Sequence, residues 1–308
     1  MKNIVVIGGG SGIFNLLIGL KKYDLNITSI VSMSDNGGST GILRNEFGIL
    51  PPGDIRRSLV ALSDSTSVMK DLFQYRFNID SSLKGHSFGN LFLAALKGIT
   101  GSDEKAILEA AEILKIRGKV LPVTLDNIHL CAKLENGNTI KGEVDIDIPK
   151  HDSKIENVFL EPKARAYFGA IRATENADII VMGPGDLYTS IIPNLLVDGI
   201  SEAIKNSRAK KIYICNLMTK HGETDNFTAN DFFRVIEKYL GENVIDFVVW
   251  NESKIPEDVL EKYAKENQHP VLLKEMNKKF VKGDFIKNRE ILRHDPDSIA
   301  RFVLDLCD

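Results

Sequence analysis

The chain has 308 residues, which is enough for one large or two smaller domains with a sizeable core. Hydrophobic residues make up 43% of it and charged residues 26%, as in ordinary globular proteins. A formal net charge of −3 argues against a protein that binds nucleic acid through bulk electrostatics. The apolar runs are too short for a membrane span. Three widely spaced cysteines without a C-x-x-C pair indicate a reducing cytoplasm and argue against a structural zinc site.

The first predicted element is a buried strand that runs into a glycine-rich loop. The strand is the apolar run Ile4–Ile7, and the loop Gly8–Gly12 has four glycines in five residues. From Ile13 onwards, apolar residues recur at helical spacing. Free backbone N–H groups and the dipole at a helix N-terminus both favour a bound anion. We therefore predict a phosphate-binding loop at Gly9, Gly10, Ser11 and Gly12.

This loop matches the dinucleotide-binding fingerprint only in part. Gly8, Gly10 and Gly12 give G-x-G-x-G, and Ile13 stands where the last glycine of G-x-G-x-x-G belongs. The departure weighs against an NAD(P)-dependent oxidoreductase. A tight strand-to-helix turn without a ligand is the alternative.

A second predicted strand, Ile27–Met33, ends in the polar loop Ser34–Gly41. Asp35 lies where dinucleotide-binding proteins bind a ribose. A carboxylate beside hydroxyl and free N–H groups could instead hold hydrated Mg²⁺ against a diphosphate. A solvated turn is the third reading, because Asp, Asn and Gly all favour turns. The candidate residues of this loop are Asp35, Gly38, Ser39 and Thr40.

Two further predicted helix N-termini carry polar groups. After Pro51 and Pro52 we predict a helix with Asp54 as its N-cap. Arginines in the first turn oppose the helix dipole, so we expect Arg56 or its neighbour to contact an anion. Asn90 begins a strongly apolar helix and is a further candidate.

In the middle of the chain the sequence pattern changes from that of helices to that of strands. Segments 120–125, 128–134 and 139–146 are predicted strands, and Glu135–Asn138 is a strong hairpin turn. We therefore predict a small antiparallel β insertion at about residues 118–160.

A second glycine-bearing loop follows the predicted strand Asp178–Met182. When two such loops belong to one parallel sheet, they flank one crevice at the carboxyl ends of the strands. The later segments alternate between strand and helix, with 271–274 as a late edge strand. This predicts an α/β fold, a Rossmann-like, doubly wound, mostly parallel sheet. The candidate residues here are Gly183, Gly185, Asp186, Thr189 and Asn194.

Seven blocks taken together resemble the CofD-like superfamily, and most closely its YvcK-type branch of gluconeogenesis and cell-morphogenesis factors. The resemblance implies one Rossmann-like α/β domain over residues 1–308, in the cytoplasm. It also implies binding of a UDP-sugar such as UDP-N-acetylglucosamine, a link to growth on gluconeogenic carbon sources and control of cell shape. We further expect a dimer and regulatory protein partners. The blocks are Gly8–Gly12, Asp35–Ser39, Leu50–Arg56, Leu72–Phe77, Gly85–Asn90, Gly183–Asn194 and Gly222–Asp225.

The transferase branch of the same superfamily implies an alternative. Its members move 2-phospho-L-lactate from a nucleotide diphosphate donor to a deazaflavin with Mg²⁺, and here Asp35 and Asp54 would help to place the ion. The chain departs from the family where Asn36 replaces a second aspartate, which weakens the case for metal-assisted transfer. It also has Lys220-His221 where the branch has Gln-Pro. Whether the chain is an enzyme stays open, and the three loops predict one crevice for a nucleotide diphosphate.

Overall fold

A computed structural model describes residues 1–78, 80–151, 153–287 and 291–307; the side chain of Ser11 lies outside this description. The strands are Lys2–Gly8 (β1), Leu25–Val31 (β2), Lys119–Pro122 (β3), His129–Leu134 (β4), Thr139–Lys141 (β5), Ile155–Glu161 (β6), Ile179–Met182 (β7), Lys210–Ile214 (β8), Phe247–Asn251 (β9) and Phe280–Gly283 (β10). The helices are Gly10–Leu20 (α1), Gly38–Phe47 (α2), Pro52–Leu62 (α3), Ser67–Gln74 (α4), Phe88–Thr100 (α5), Asp103–Ile113 (α6), Glu143–Asp147 (α7), Phe168–Glu175 (α8), Ile192–Leu195 (α9), Ile200–Asn206 (α10), Ala229–Leu240 (α11), Glu257–Ala264 (α12) and Pro296–Asp305 (α13). A π-helical turn, Leu187–Ile191, leads directly into α9.

The main sheet has seven strands in the order β10-β9-β8-β7-β1-β2-β3. Every pair of neighbours in it is parallel. The chain adds β2 and β3 on one side of β1, then returns and adds β7 to β10 on the other side. The predicted doubly wound α/β fold is confirmed. The strand order reverses between β1 and β7, which is where open α/β sheets bind ligands.

A second, three-stranded antiparallel sheet has the order β5-β4-β6. The predicted insertion is therefore present, but the predicted boundary at about 118 is wrong. Lys119–Pro122 pairs in parallel with β2 at the edge of the main sheet, and antiparallel pairing begins at His129. The predicted strand 139–146 ends at Lys141 and is followed by helix α7. Short apolar runs look alike in both kinds of sheet, so the sequence pattern did not separate them.

Two other local predictions differ from the structure. Helix α3 begins at Pro52, so Asp54 lies in its first turn rather than at the N-cap. The segment 271–274 forms no strand, and β10 takes the sheet edge instead.

The helices cover the sheet and enclose its strands. Helix α1 packs against α3 and α13, and α8 packs against α10. Strands β1 and β7 are buried over Ile4–Gly8 and Ile179–Met182, as expected for a parallel sheet covered on both faces. Among the described helices, none has the length and apolar character that a membrane crossing requires.

Candidate functional site

A cavity of about 320 Å³ opens at the carboxyl ends of β1, β7 and β8. Its floor is formed by the two glycine-bearing loops that are predicted to flank one crevice. The structure therefore brings together two of the three predicted loops. The loop residues that line the cavity are Gly9, Gly10, Gly12, Gly185, Asp186 and Ser190.

The two loops approach each other so closely that one glycine has no room for a side chain. A Cβ atom on Gly12 would lie 2.1 Å from the carbonyl oxygen of Pro184. Asn194 supports the first loop from below, since its Nδ2 donates to the carbonyl oxygens of Ser190 at 2.8 Å and Gly8 at 3.4 Å. Asn194 is fully buried and does not line the cavity. Its position is that of a support for the loop.

An acidic side chain lies at the N-terminus of α1. The Asp54 carboxylate accepts a hydrogen bond from the Gly10 N–H, and a Cβ on Gly9 would lie 2.3 Å from its Oδ2. Burial raises the pKa of Asp54 to about 6; Asp35 adds to this rise, while Arg57 opposes it. The predicted phosphate loop therefore has a carboxyl group beside it that is half protonated near pH 6 and mostly ionised at pH 7.

The third predicted loop, Ser34–Gly41, does not line the cavity. It lies against Gly53, where an added Cβ would be 2.9 Å from Asp35 Oδ2 and 3.1 Å from Thr40 Oγ1. Gly38 of this loop is the first residue of α2. Asp54 contacts the first loop and its neighbour Gly53 lies against the third, while one crevice of all three loops stays a prediction.

Ser39 and Asn90 belong to a buried network beside this third loop. Asn90 Nδ2 donates to Ser39 Oγ at 3.3 Å, and Ser39 Oγ lies 2.9 Å from His86 Nδ1. Arg56 Nε donates to Asn90 Oδ1 at 2.9 Å and Nη1 donates to the carbonyl oxygen of Phe73 at 3.4 Å. Both acceptors of Arg56 are neutral.

The charge of Arg56 is costly in this environment. Its side chain is buried, and burial, followed by two nearby arginines, Arg57 and Arg76, lowers its pKa to about 10. An anion beside it would relieve this cost. Contact of Arg56 with a ligand anion stays a prediction.

A group of acidic residues surrounds Lys220 at the edge of the cavity. Asp147 comes from α7 and Asp186 from the loop after β7, whereas Glu223 follows β8. One carboxylate oxygen from each lies within 4.8 Å of the others. Lys220 Nζ lies 2.8 Å from Asp186 and 3.3 Å from Glu223, and it also bonds to Asp147. Lys220 thereby links α7 of the insertion to the segments that follow β7 and β8.

Glu223 also holds the start of the π-helical turn. Its two carboxylate oxygens accept hydrogen bonds from the Tyr188 N–H and the Thr189 hydroxyl, each at 3.1 Å. Burial raises the pKa of Glu223, while Lys220 opposes the rise. Thr189, a predicted ligand contact, is therefore engaged within the protein.

Helix α7 brings another acidic residue close to the site. Asn36 Oδ1 accepts a hydrogen bond from the Val144 N–H at 3.0 Å. Asn36, the residue that departs from the family pattern, therefore connects α7 to the loop that follows β2. Beside Val144 lies Glu143. Burial, then the charges of Asp35 and Asp147, raise the pKa of Glu143 from 4.5 to about 9.

This shift predicts a pH-dependent effect of replacing Glu143 by glutamine. Between pH 4.5 and 9 the folded chain keeps the Glu143 proton that the unfolded chain releases, so Glu143 lowers stability increasingly as pH rises. In metal-free buffer, Glu143→Gln should raise the free energy of unfolding at pH 8 by about 1–3 kcal/mol and change it little at pH 4. Urea denaturation at both pH values measures this.

Glu156→Gln is the matched control, because Glu156 is 47% exposed in its pair with Lys133 and should matter little at either pH. An effect of Glu143→Gln that is the same at pH 4 and pH 8 would contradict the shifted pKa.

Comparison with known proteins decides the family. The model of the family described as "2-phospho-L-lactate transferase CofD" matches residues 4–286. The chain belongs to the CofD family. Within this family it is 44% identical to the "Gluconeogenesis factor" of Halalkalibacterium halodurans, over 99% of this chain and 96% of that protein. It is 42% identical to the "Gluconeogenesis factor" of Bacillus subtilis, over 98% and 97%. It therefore lies in the gluconeogenesis-factor branch.

The fold of this CofD family member agrees with a crystal structure. A UPF0052 family protein from Bacillus halodurans superimposes with a TM-score of 0.95 at 43% identity, covering 99% of this chain and 100% of the other. The resemblance that the sequence blocks indicated is confirmed at the levels of family and branch.

Several cavity residues were not predicted from the sequence. Asn216 lies two residues after the end of β8, the strand next to β7, so its place near a strand end could have identified it. Tyr263 and Arg293 reach the same cavity from helix α12 and from the segment before α13. No glycine loop or strand end marks these two in the sequence. His294 also lines the cavity, and burial lowers its pKa to about 4, so this imidazole is neutral at pH 7.

Proposed function

We propose that this chain binds a UDP-sugar, such as UDP-N-acetylglucosamine, and acts as a cytoplasmic regulatory protein. Through this binding it would support growth on gluconeogenic carbon sources and control of cell shape. The observation that carries the proposal is the meeting of two glycine-bearing loops in one cavity where the strand order reverses. The names of its relatives support the gluconeogenic part. A dimeric state and regulatory protein partners stay predictions.

The lining of the cavity fits a long, polar, anionic ligand. The N-terminal end of α1 offers the backbone N–H group of Gly12 for a diphosphate, whereas the Gly10 N–H already donates to Asp54. Arg293 brings positive charge to the same cavity, and Lys220 offsets part of the negative charge of the three carboxylates around it. Tyr263 adds an aromatic ring of the kind on which a nucleobase stacks.

Two lining side chains have buried polar atoms that lack a hydrogen-bond partner. These atoms are Asn216 Oδ1 and His294 Nε2. Unpaired buried polar atoms are costly, so a small movement of these side chains toward a ligand with complementary groups would be favourable. We therefore count both side chains among the candidate contacts to a uracil or a sugar.

A transferase of the CofD type is the second candidate, and Asp54 favours it. A carboxyl group beside the predicted diphosphate loop would repel the ligand unless it is protonated or shares a divalent ion with it. Asp35 is close enough to raise the pKa of Asp54, so these two residues would hold Mg²⁺. When bound, the ion would neutralise diphosphate charge. This chain's own residues would position the donor, and the Gly10 N–H would orient Asp54.

A panel of ligands separates the two candidates. We expect UDP-N-acetylglucosamine to raise the melting midpoint by several degrees without Mg²⁺, since ligand at 100 times its Kd adds about 2.7 kcal/mol. NADP should give no shift. A shift that needs Mg²⁺, GDP and deazaflavin together would favour the transferase, and Asp54→Asn should then abolish it. No shift with any UDP-sugar would overturn the first proposal.

A further inference from the structure

The ammonium group of Lys220 lies among three carboxylates from three separate segments. It bonds to Asp147, lies 2.8 Å from Asp186 and lies 3.3 Å from Glu223. An ammonium group has three N–H donors, so each carboxylate can accept one. The arrangement of one cation inside a shell of oxygens is that of a small metal site.

A divalent ion and this ammonium group cannot share the shell. Protein oxygens bind Mg²⁺ and Ca²⁺ at about 2.0–2.6 Å, so an ion held by these three residues would take the space of Lys220 Nζ. Burial opposes the charge on Lys220, but Glu223, Asp186 and Asp147 outweigh it and raise its pKa. The lysine therefore stays protonated at pH 7, and its charge repels a second cation.

We propose that Lys220 is a tethered cation that takes the place of a divalent metal ion among Asp147, Asp186 and Glu223. Because Lys220 also lines the cavity, its charge reduces the repulsion between these three carboxylates and the ligand's diphosphate. This second role rests on the proposed UDP-sugar binding, whereas the exclusion of metal does not. Lys220 is thus a positioning residue, and its ammonium group determines whether these three carboxylates bind a metal ion.

The surrounding chain should keep its shape when the ammonium group is removed. The backbone of Lys220 closes a turn through bonds at 2.9 Å in both directions with Thr224, and these need no lysine side chain. Glu223 keeps its hydrogen bonds from Tyr188 and Thr189. Glutamine at position 220 can still donate a neutral hydrogen bond to the shell.

Titration calorimetry with Mn²⁺ tests the exclusion of metal. Lys220→Gln should bind one Mn²⁺ more per chain than the wild type, and adding Asp147→Asn to that variant should remove the extra site. Lys141→Gln is the control, because Lys141 is 55% exposed in a simple pair with Glu161 and should leave the stoichiometry unchanged. The proposal is overturned if Lys220→Gln gains no site while it remains folded by circular dichroism. It is equally overturned if Asp147→Asn removes a site from the wild type.

The contribution of Lys220 to ligand binding is tested by a separate measurement of affinity. In EDTA, Lys220→Gln should bind UDP-N-acetylglucosamine at least about tenfold more weakly than the wild type, and Mn²⁺ should restore most of that loss. Equal affinity of the two proteins in EDTA would remove Lys220 from ligand binding. If the wild type binds no UDP-sugar, the proposed function fails, while the Mn²⁺ stoichiometry still tests the tethered cation.

Discussion

Replacing Gly12 by alanine should weaken binding of UDP-N-acetylglucosamine about 100-fold, or about 2.7 kcal/mol. The new Cβ would lie 2.1 Å from the carbonyl oxygen of Pro184 and 2.5 Å from its carbon, so backbone has to move. Separating the two loops changes the floor on which the diphosphate would lie. Overpacking of this kind also costs stability, here about 1–3 kcal/mol, so binding is measured by calorimetry well below the melting midpoint.

Gly98→Ala is the matched control for this substitution. Gly98 lies in the interior of α5, and a Cβ added there meets no atom within 4 Å. Alanine should leave the affinity unchanged and raise stability by up to about 1 kcal/mol, since glycine is a poor helix former. A Gly12→Ala protein that binds the UDP-sugar as well as the wild type would show that the ligand does not depend on the approach of these loops.

Glu223→Ala should lower the free energy of unfolding by about 2–5 kcal/mol, because two buried donors lose the acceptor that they share. The Glu223 side chain is fully buried, and its loss leaves the Tyr188 N–H and the Thr189 hydroxyl without their acceptor, while Lys220 keeps Asp147 and Asp186. The start of the π-helical turn is then held less tightly. Urea denaturation measures the loss.

An exposed glutamate in a similar pair provides the comparison. Glu252 lies 2.8 Å from Lys282 and is 42% exposed, so Glu252→Ala should cost no more than about 1 kcal/mol. If both alanine variants unfold at the same urea concentration, Glu223 does not have the supporting role that its contacts indicate.

The fold was largely predictable because each signal is local. The apolar runs Ile4–Ile7 and Asp178–Met182, each followed by a glycine loop, identify parallel strands whose ends share one edge of a sheet. The strand Lys119–Pro122 was assigned to the wrong sheet, because a four-residue apolar run does not show which partner it pairs with. Pairing is a long-range property that one short segment does not encode by itself.

The site was predictable where it depends on backbone and less so where it depends on distant side chains. The glycine loops could be read from the sequence. By contrast, three contacts of the site join segments that are far apart in the chain. These are the hydrogen bond from Gly10 to Asp54, the hydrogen bond from Thr189 to Glu223 and the carboxylates around Lys220. Residue types alone do not show which buried charges share a space. Lys220 was visible as a departure from the family pattern, but its three partners were not.

The proposed nucleotide diphosphate site lies between the loops Gly8–Gly12 and Gly183–Ser190. A crystal structure of the wild-type protein with UDP-N-acetylglucosamine tests this most directly. We predict diphosphate density against the N-terminal end of α1 at the Gly12 N–H, with the uridine toward Tyr263 and Arg293. Density for the ligand at another place on the protein, with this cavity holding only solvent, would contradict the proposed site.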